Sequence, residues 1–212
     1  MKKYLYGKFE HLEPLARGAK GIRFSDIIHY SDMDNDLMRD HEIEKTFLLD
    51  KDSFKWKLGD LELTAKDFSS HPSISVSVNR CFCLCLSSKK NDPELFERFN
   101  ADVCIELDVH ELLAVLALVT QKFKGMQVVH REVNYYPEIM KSAGPDLASI
   151  LFYKRDKYAV EAEYRIALTV PGHITEWRTL DGKSFPIFQQ EASHIFINGP
   201  YTKRYVKGFY QH

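Results

Sequence analysis

Between Val160 and Leu168 the chain alternates with a period of two. Val160, Ala162, Tyr164, Ile166 and Leu168 fall on one side of an extended backbone, and Glu161, Glu163 and Arg165 fall on the other. An apolar face this regular needs a packed layer to cover it, so the run predicts a strand within a layered sheet. The opposite face sets two carboxylates and a guanidinium about 7 Å apart in succession. Like charges so placed repel. Either the face is solvated, with Arg165 paired to Glu163, or it lines a cleft that holds a functional carboxylate.

The rest of the chain supplies the other layers. Residues 3–8 read as a short strand, 9–17 as a short helix with Phe9, Leu12, Leu15 and Ala16 at helical spacing, ended by Gly18, and 21–25 as a second strand. From Asp26 to Asp52 nine acidic residues stand against three basic ones. The acids lack the spacing of a calcium loop, so this stretch reads as a solvated loop with some helix. Strands are predicted over 60–65 and 73–87, the second with Ile74, Val76 and Val78 alternating against serines. Asp92 caps and Pro93 opens a helix, a strand follows over 102–107, and the longest helix, 109–123, is apolar nearly all round. Residues 126–135 return as a strand, 145–156 as a helix, and 194–197 as a last strand before the turn Asn198-Gly199-Pro200 and a basic tail. No repeat, linker or low-complexity tract interrupts residues 1–212, which predicts one domain. Strands mixed with segregated helices, without regular βαβ alternation, give an α+β class around a split or antiparallel sheet.

Composition removes several function classes. With 212 residues, 44% of them hydrophobic, the chain can bury a sizeable core. A net charge of −1 provides no global field toward nucleic acid or an anionic membrane, so a nucleic-acid partner has to be held locally. No apolar run reaches the roughly 20 residues that span a bilayer, and the Met-Lys-Lys start lacks an apolar signal segment, so the expectation is a cytoplasmic protein with no membrane partner. Cys81, Cys83 and Cys85 alternate with Phe82 and Leu84 on one side of a strand, where they are poor disulfide partners. Without paired C-x-x-C knuckles they read as buried structural thiols, and no metal is expected. His11, His29, His110 and His130 are scattered, and no phosphate loop, dinucleotide fingerprint or H-E-x-x-H is present. A restriction-type nuclease wants a lysine where Arg165 stands, and arginine is a poor base.

The segment Lys154-x-x-x-Tyr158-x-x-Glu161-x-Glu163-Tyr164-Arg165-Ile166 resembles the signature of a bacterial family of unassigned function, in which a lysine, an aromatic, E-x-E, an aromatic and an arginine recur at these spacings. Tyr4-Leu5-Tyr6, Ile22 to Ser25 followed by Asn35-Asp36, Cys81 to Ser87 followed by Phe96 and Phe99, Val133-Asn134-Tyr135, and Gly199-Pro200 resemble that family's further landmarks in the same order. That family in turn is similar to ADP-ribosyltransferases. The resemblance implies a split, mostly antiparallel sheet around an NAD cleft flanked by helices, with NAD as co-substrate. It also implies a toxin or anti-phage effector held in check by an inhibitory antitoxin protein. Carried over residue by residue, Glu163 is the catalytic glutamate and Glu161 its acceptor-side partner. Tyr4 and Tyr6 on the first strand and Arg23 and Ser25 on the second are the candidates for holding NAD, with Arg165 beside them. The chain departs from the pattern in having no first-strand Arg or His, no Ser-Thr-Ser, and Phe96 where relatives tend to have Trp.

The chemistry has its own logic. Breaking the nicotinamide–ribose bond passes through an oxocarbenium-like state, and a fixed carboxylate stabilises that charge while accepting a hydrogen bond from the ribose 2′-hydroxyl. Arg23 suits a pyrophosphate oxygen, and Ser25 or a tyrosine suits the nicotinamide. The acceptor is a macromolecule: RNA, DNA or protein. In the C-terminal segment Lys203, Arg204 and Lys207 interleave with aromatics, as on a single-stranded nucleic-acid surface or, equally, at a plain amphipathic helix end. The other class of function is a binding module that catalyses nothing, in which Glu161, Glu163 and Arg165 form a structural ion network.

Overall fold

The computed structural model describes residues 1–31, 42–188 and 193–212. The first half of the chain comprises β1 (Lys2–Gly7), α1 (Phe9–Ala16), β2 (Ile22–Asp26), β3 (Glu44–Leu49), a hairpin of β4 (Trp56–Leu58) and β5 (Leu61–Leu63), β6 (Ser73–Ser77), β7 (Phe82–Ser87) and α2 (Pro93–Arg98). There follow β8 (Val103–Asp108), α3 (Val109–Thr120), β9 (Gln127–Glu132), β10 (Asn134–Tyr136), β11 (Ile139–Met140), β12 (Tyr153–Arg155) and β13 (Glu163–Thr169). The chain ends with a hairpin of β14 (Glu176–Arg178) and β15 (Ser184–Pro186), then β16 (His194–Ile197), α4 (Thr202–Tyr205) and β17 (Val206–Gln211).

The architecture is mixed α+β, with mostly antiparallel sheets and few helices. Eight strands form the main sheet in the order β16-β2-β7-β1-β8-β17, extended from β7 through β13 to β9. Tyr164, Ile166 and Leu168 of β13 point to one face of this sheet, as their alternation predicts. There they pack with Phe82, Leu84 and Leu86 of β7, Val103, Ile105 and Leu107 of β8, and the buried stripes of α1 (Leu12, Leu15) and α3 (Leu112, Val115, Leu116). The other face carries Cys83 and Ala167, covered by Ile27 and by the partly buried Ile150 and Leu151. A smaller sheet, β11-β3-β6, builds a second layer around Phe47, Leu49 and Tyr136. No helix among the described residues is long and apolar enough to cross a membrane.

Local signals fix several elements where they were expected. The Asp92 carboxylate accepts the backbone N–H groups of Glu94 and Leu95, and Pro93 fills the first helical position of α2. Asp108 caps α3 by accepting from the His110 N–H. Gly18, at φ +77°, ends the turn after α1. At Gly21 a Cβ would stand 2.2 Å from the Ile197 carbonyl oxygen, so only glycine lets β16 lie against the start of β2.

Elsewhere tertiary pairing overrides the sequence pattern. The acidic stretch is not all solvated loop: Glu44–Leu49 forms β3, and Glu42 and Lys45 are buried. Its acids Asp32, Asp34, Asp36 and Asp40 lie outside the described residues. The long strand expected over 73–87 splits into β6 and β7, which join different sheets. Its Ile74 stays exposed, so the alternation there does not define a core face. The helix expected over 145–156 is a short 3₁₀ segment, Leu147–Phe152, followed by β12, because Tyr153–Arg155 pair in parallel with Asn134–Tyr136. In α3 one face is buried, but Leu118 on the other is 48% exposed, so the helix lies at the surface. Finally, the strand containing Glu163 begins at that residue; Asp156–Glu161 form a 3₁₀ turn.

Candidate functional site

The register of β7 creates the site. Along one edge it pairs with β13 without interruption, from Ser87 opposite Glu163 to Phe82 opposite Leu168. Along the other edge it meets β2 only at Cys83–Ser25 and Phe82–Asp26, and β1 only at Ser87–Tyr4. The sheet is therefore split: β1 and β2 part along the middle of β7. A cavity of about 390 Å³ opens at this parting. It lies at the small end of the roughly 300–1,000 Å³ range of small-molecule sites.

Glu163, Glu161, Tyr4, Tyr6, Arg23, Ser25 and Arg165, the residues singled out in the sequence, all line this one cavity. They arrive by a route the alternation does not describe. Glu161 closes the 3₁₀ turn and Ala162 takes a left-handed conformation at φ 44°, ψ 51°, after which Glu163 enters β13. Left-handed backbone at a non-glycine residue is uncommon, and here it turns two carboxylates toward one ammonium. Lys154 Nζ lies 2.7 Å from Glu161 Oε2 and 3.1 Å from Glu163 Oε2. The lysine, aromatic and E-x-E of the 154–163 spacing thus close on themselves, with Lys154 also over the Tyr158 ring at 4.7 Å.

From this pair a line of alternating charge runs through the floor of the cavity. Arg98 Nε reaches Glu161 at 3.1 Å, and Arg165 Nε reaches Glu163 Oε1 at 2.7 Å. The two terminal nitrogens of Arg165 then bind the Glu42 carboxylate at 2.8 and 2.7 Å, and Lys45 shares the Glu42 Oε2 that Arg165 Nη1 reaches. The face of Glu163 and Arg165 is therefore not solvated: they are 4% and 1% exposed. The Tyr135 hydroxyl accepts the backbone N–H of Glu163 at 2.8 Å and fixes the start of the strand. Sequence reasoning missed Glu42 and gave Lys154 no role. Glu42 lies in a stretch whose acidity signals a solvated loop, and Lys154 stands beside Arg155 and Asp156 at the end of a segment that reads as a helix, where a charged residue signals solvent.

The environments of the two E-x-E carboxylates differ in sign. Burial pushes the Glu163 carboxyl up, but Arg165 and Lys154 outweigh it and hold the group well below the usual carboxylate range. Burial also pushes Glu161 up, and there Lys154 and Arg98 do not offset it, partly because the Glu163 charge is close. The two carboxyls thus shift in opposite directions although they share the Lys154 ammonium.

The rim of the cavity is built differently. Arg23 is exposed and pairs with no carboxylate among the described residues. The buried Ser25 has no hydrogen-bond partner for its hydroxyl among the described residues, and it too faces the cavity. Lys20 sits over the Phe196 ring at 4.5 Å. The first-strand tyrosines are more committed. Tyr4 packs in a cluster with Phe96 and Cys104, and the Tyr6 hydroxyl donates to the Lys89 carbonyl and accepts from the Asp92 N–H. Tyr6 therefore offers the cavity its ring and not its hydroxyl. Among the described lining residues, Lys8, Lys20, Arg23, Lys154 and Arg165 stand against Glu42, Glu161 and Glu163, a surplus of positive charge.

Other candidates fall away from the cavity. The basic C-terminal segment forms α4 and β17, the latter paired with β8. Lys203 and Lys207 are exposed, Arg204 pairs with Glu111 at 2.9 Å, and none of the three lines the cavity. All four cysteines are free, and Cys81 Sγ lies 3.5 Å from Cys83 Sγ. Among the described residues no group of three or more His, Cys, Asp or Glu side chains is placed to hold a metal ion. No protein family matches the chain, no curated protein is similar to it, and no solved structure matches it.

Proposed function

We propose that the protein transfers ADP-ribose from NAD to a macromolecular acceptor, with Glu163 as the reacting carboxylate. The observation that carries this reading is a buried glutamate held between Lys154 and Arg165, on the floor of a split sheet whose rim presents Arg23 and the Ser25 hydroxyl without a partner among the described residues. The positive surplus of the lining suits an anionic ligand, and the cavity's size suits the reacting end of a dinucleotide rather than the whole. Arg23 takes a pyrophosphate oxygen, and Ser25 and the Tyr6 ring orient the nicotinamide. As the C1′–N bond of the ribose breaks, its electron pair leaves with the nicotinamide, and the positive charge that grows on the ribose is met by Glu163. A carboxylate has about four acceptor sites; Lys154 and Arg165 occupy one on each oxygen, which leaves room for the 2′-hydroxyl. The acceptor's nucleophile then adds to C1′ and gives its proton to Glu161. A cytoplasmic toxin or defence effector restrained by an antitoxin is the setting in which we place this activity, and exposed Lys203 and Lys207 are the surface offered to a nucleic-acid acceptor.

A second reading, a nucleotide-binding module without catalysis, is favoured by one observation: both oxygens of Glu163 already hold a cation. Nicotinamide release from NAD by the purified protein separates the two. The transferase reading expects release that falls about a hundredfold or more in Glu163→Gln while NAD still binds. Undiminished release by the folded variant contradicts it, and NAD binding without release by the wild type establishes the binding module.

A further inference from the structure

We propose that Glu42 is a positioning residue of this site: by holding both terminal nitrogens of Arg165 it fixes the plane of that guanidinium and aims its Nε at one oxygen of Glu163, which leaves the other acceptor sites of the carboxylate toward the cavity. The inference rests on the reading of Glu163 as the reacting carboxylate. Glu42 belongs to no motif in the sequence, yet it is 1% exposed, lines the same cavity, and reaches across from the end of the chain that leads into β3.

A guanidinium carries five N–H donors in a planar fork, and each edge of the fork can take a carboxylate bidentately. In Arg165 the outer edge is taken: Nη1 donates to Glu42 Oε2 at 2.8 Å and to the Leu151 carbonyl at 2.8 Å, and Nη2 donates to Glu42 Oε1 at 2.7 Å. Only Nε is directed at Glu163, at 2.7 Å. The plane of the guanidinium is thus fixed from the far side. Without Glu42 only the Leu151 carbonyl holds the outer edge, and the Nε–Nη2 edge can turn toward Glu163. A fork that turns and closes bidentately on it takes up acceptor sites that a substrate hydroxyl needs. Lys45 strengthens the arrangement by tying Glu42 back to β3. The role differs from charge balance alone, because it depends on two parallel hydrogen bonds and not merely on a nearby anion.

The test uses the full chain with Glu42→Gln and Glu42→Asp. Two readouts are followed: the nitrogen-detected side-chain resonances of Arg165, and the kcat and KM of nicotinamide release. In Glu42→Gln the Arg165 terminal nitrogens lose their restrained signals, and kcat falls about ten- to a hundredfold while the NAD dissociation constant stays within about twofold. In Glu42→Asp, which keeps the charge but shortens the reach, kcat falls by less. A folded Glu42→Gln with wild-type kcat, or with unchanged Arg165 resonances, overturns the proposal. If Glu42→Gln does not fold, Glu42→Asp decides: reduced kcat supports the positioning role and unchanged kcat overturns it. Failure of the catalytic reading itself appears separately, as no release by the wild type. In that case the positioning of Arg165 stands or falls on its resonances alone.

Discussion

Glu163 and Arg23 face the same cavity and are held in opposite ways. Glu163 sits in a closed line of charges, with a cation on each oxygen and a tyrosine hydroxyl on its backbone N–H. Arg23 stands exposed and pairs with no carboxylate among the described residues. A buried network of this kind is self-sufficient: its partners are all protein groups, and removing any one strands the others in a low-dielectric interior. The rim is open by comparison, and in the proposed function its partners come from a ligand. In the proposed function the floor contributes fixed electrostatics and the rim contributes affinity, a division of labour that substitutions can separate.

The largest effect is expected on the floor. Arg165→Ala leaves Glu42 and Glu163 facing each other without their shared cation, and should lower the free energy of unfolding by about 3–5 kcal/mol, measured by denaturant titration. An unchanged midpoint would mean that the network is dispensable. The pH dependence comes next. Because the folded-state Glu163 carboxyl is held below its ordinary value, its contribution to stability is present above the ordinary carboxylate range and is lost as pH falls through the depressed folded value. Glu161 is raised, so its contribution is present below the ordinary value and is lost as pH rises through the raised one. The stability difference between wild type and Glu163→Gln should therefore shrink on acidification, and that between wild type and Glu161→Gln should not. Unfolding curves collected from neutral to acid pH check both signs.

A smaller effect of opposite direction is expected at the joint between the two carboxylates. Ala162→Gly relieves a left-handed alanine and should stabilise the fold by about 1 kcal/mol, while loosening the turn that aims Glu161 and Glu163 at Lys154. A gain in thermal midpoint accompanied by slower nicotinamide release would show that strain there serves alignment. The smallest effect on stability belongs to the rim. Arg23→Ala should leave the unfolding midpoint almost unchanged while weakening binding of NAD and of inorganic pyrophosphate by about tenfold or more. Equal binding by the variant would remove Arg23 from the site.

How much of this was legible in the sequence follows the same division. The period of two over Tyr164, Ile166 and Leu168 gives the strand and the face that packs in the main core, but not the burial of Glu163, Arg165 and Ala167 on its other face. Asp92-Pro93 gives the start of α2, since capping is local chemistry. The convergence of Glu161 and Glu163 does not come from alternation, because Ala162 breaks the extended backbone between them. Lys154 falls in a segment that reads as a helix, because only its parallel partner strand, Asn134–Tyr136, makes it a strand. Glu42 was invisible for a similar reason: its partner is Arg165, far away in sequence, and an acidic neighbourhood normally signals solvent. Tyr6 could be placed on the right strand, but that its hydroxyl is occupied by the backbone of the segment leading into α2 is a tertiary fact.

The central claim is that a buried, ionised Glu163 acts on a ligand held at the rim. The most direct measurement follows label from adenylate-labelled NAD into the protein and RNA fractions of a cell lysate treated with wild type or with Glu163→Gln. The account predicts label in one fraction with the wild type and none with the variant, although the variant is folded. Label appearing equally with both proteins, or neither label nor nicotinamide release with the wild type, would contradict it.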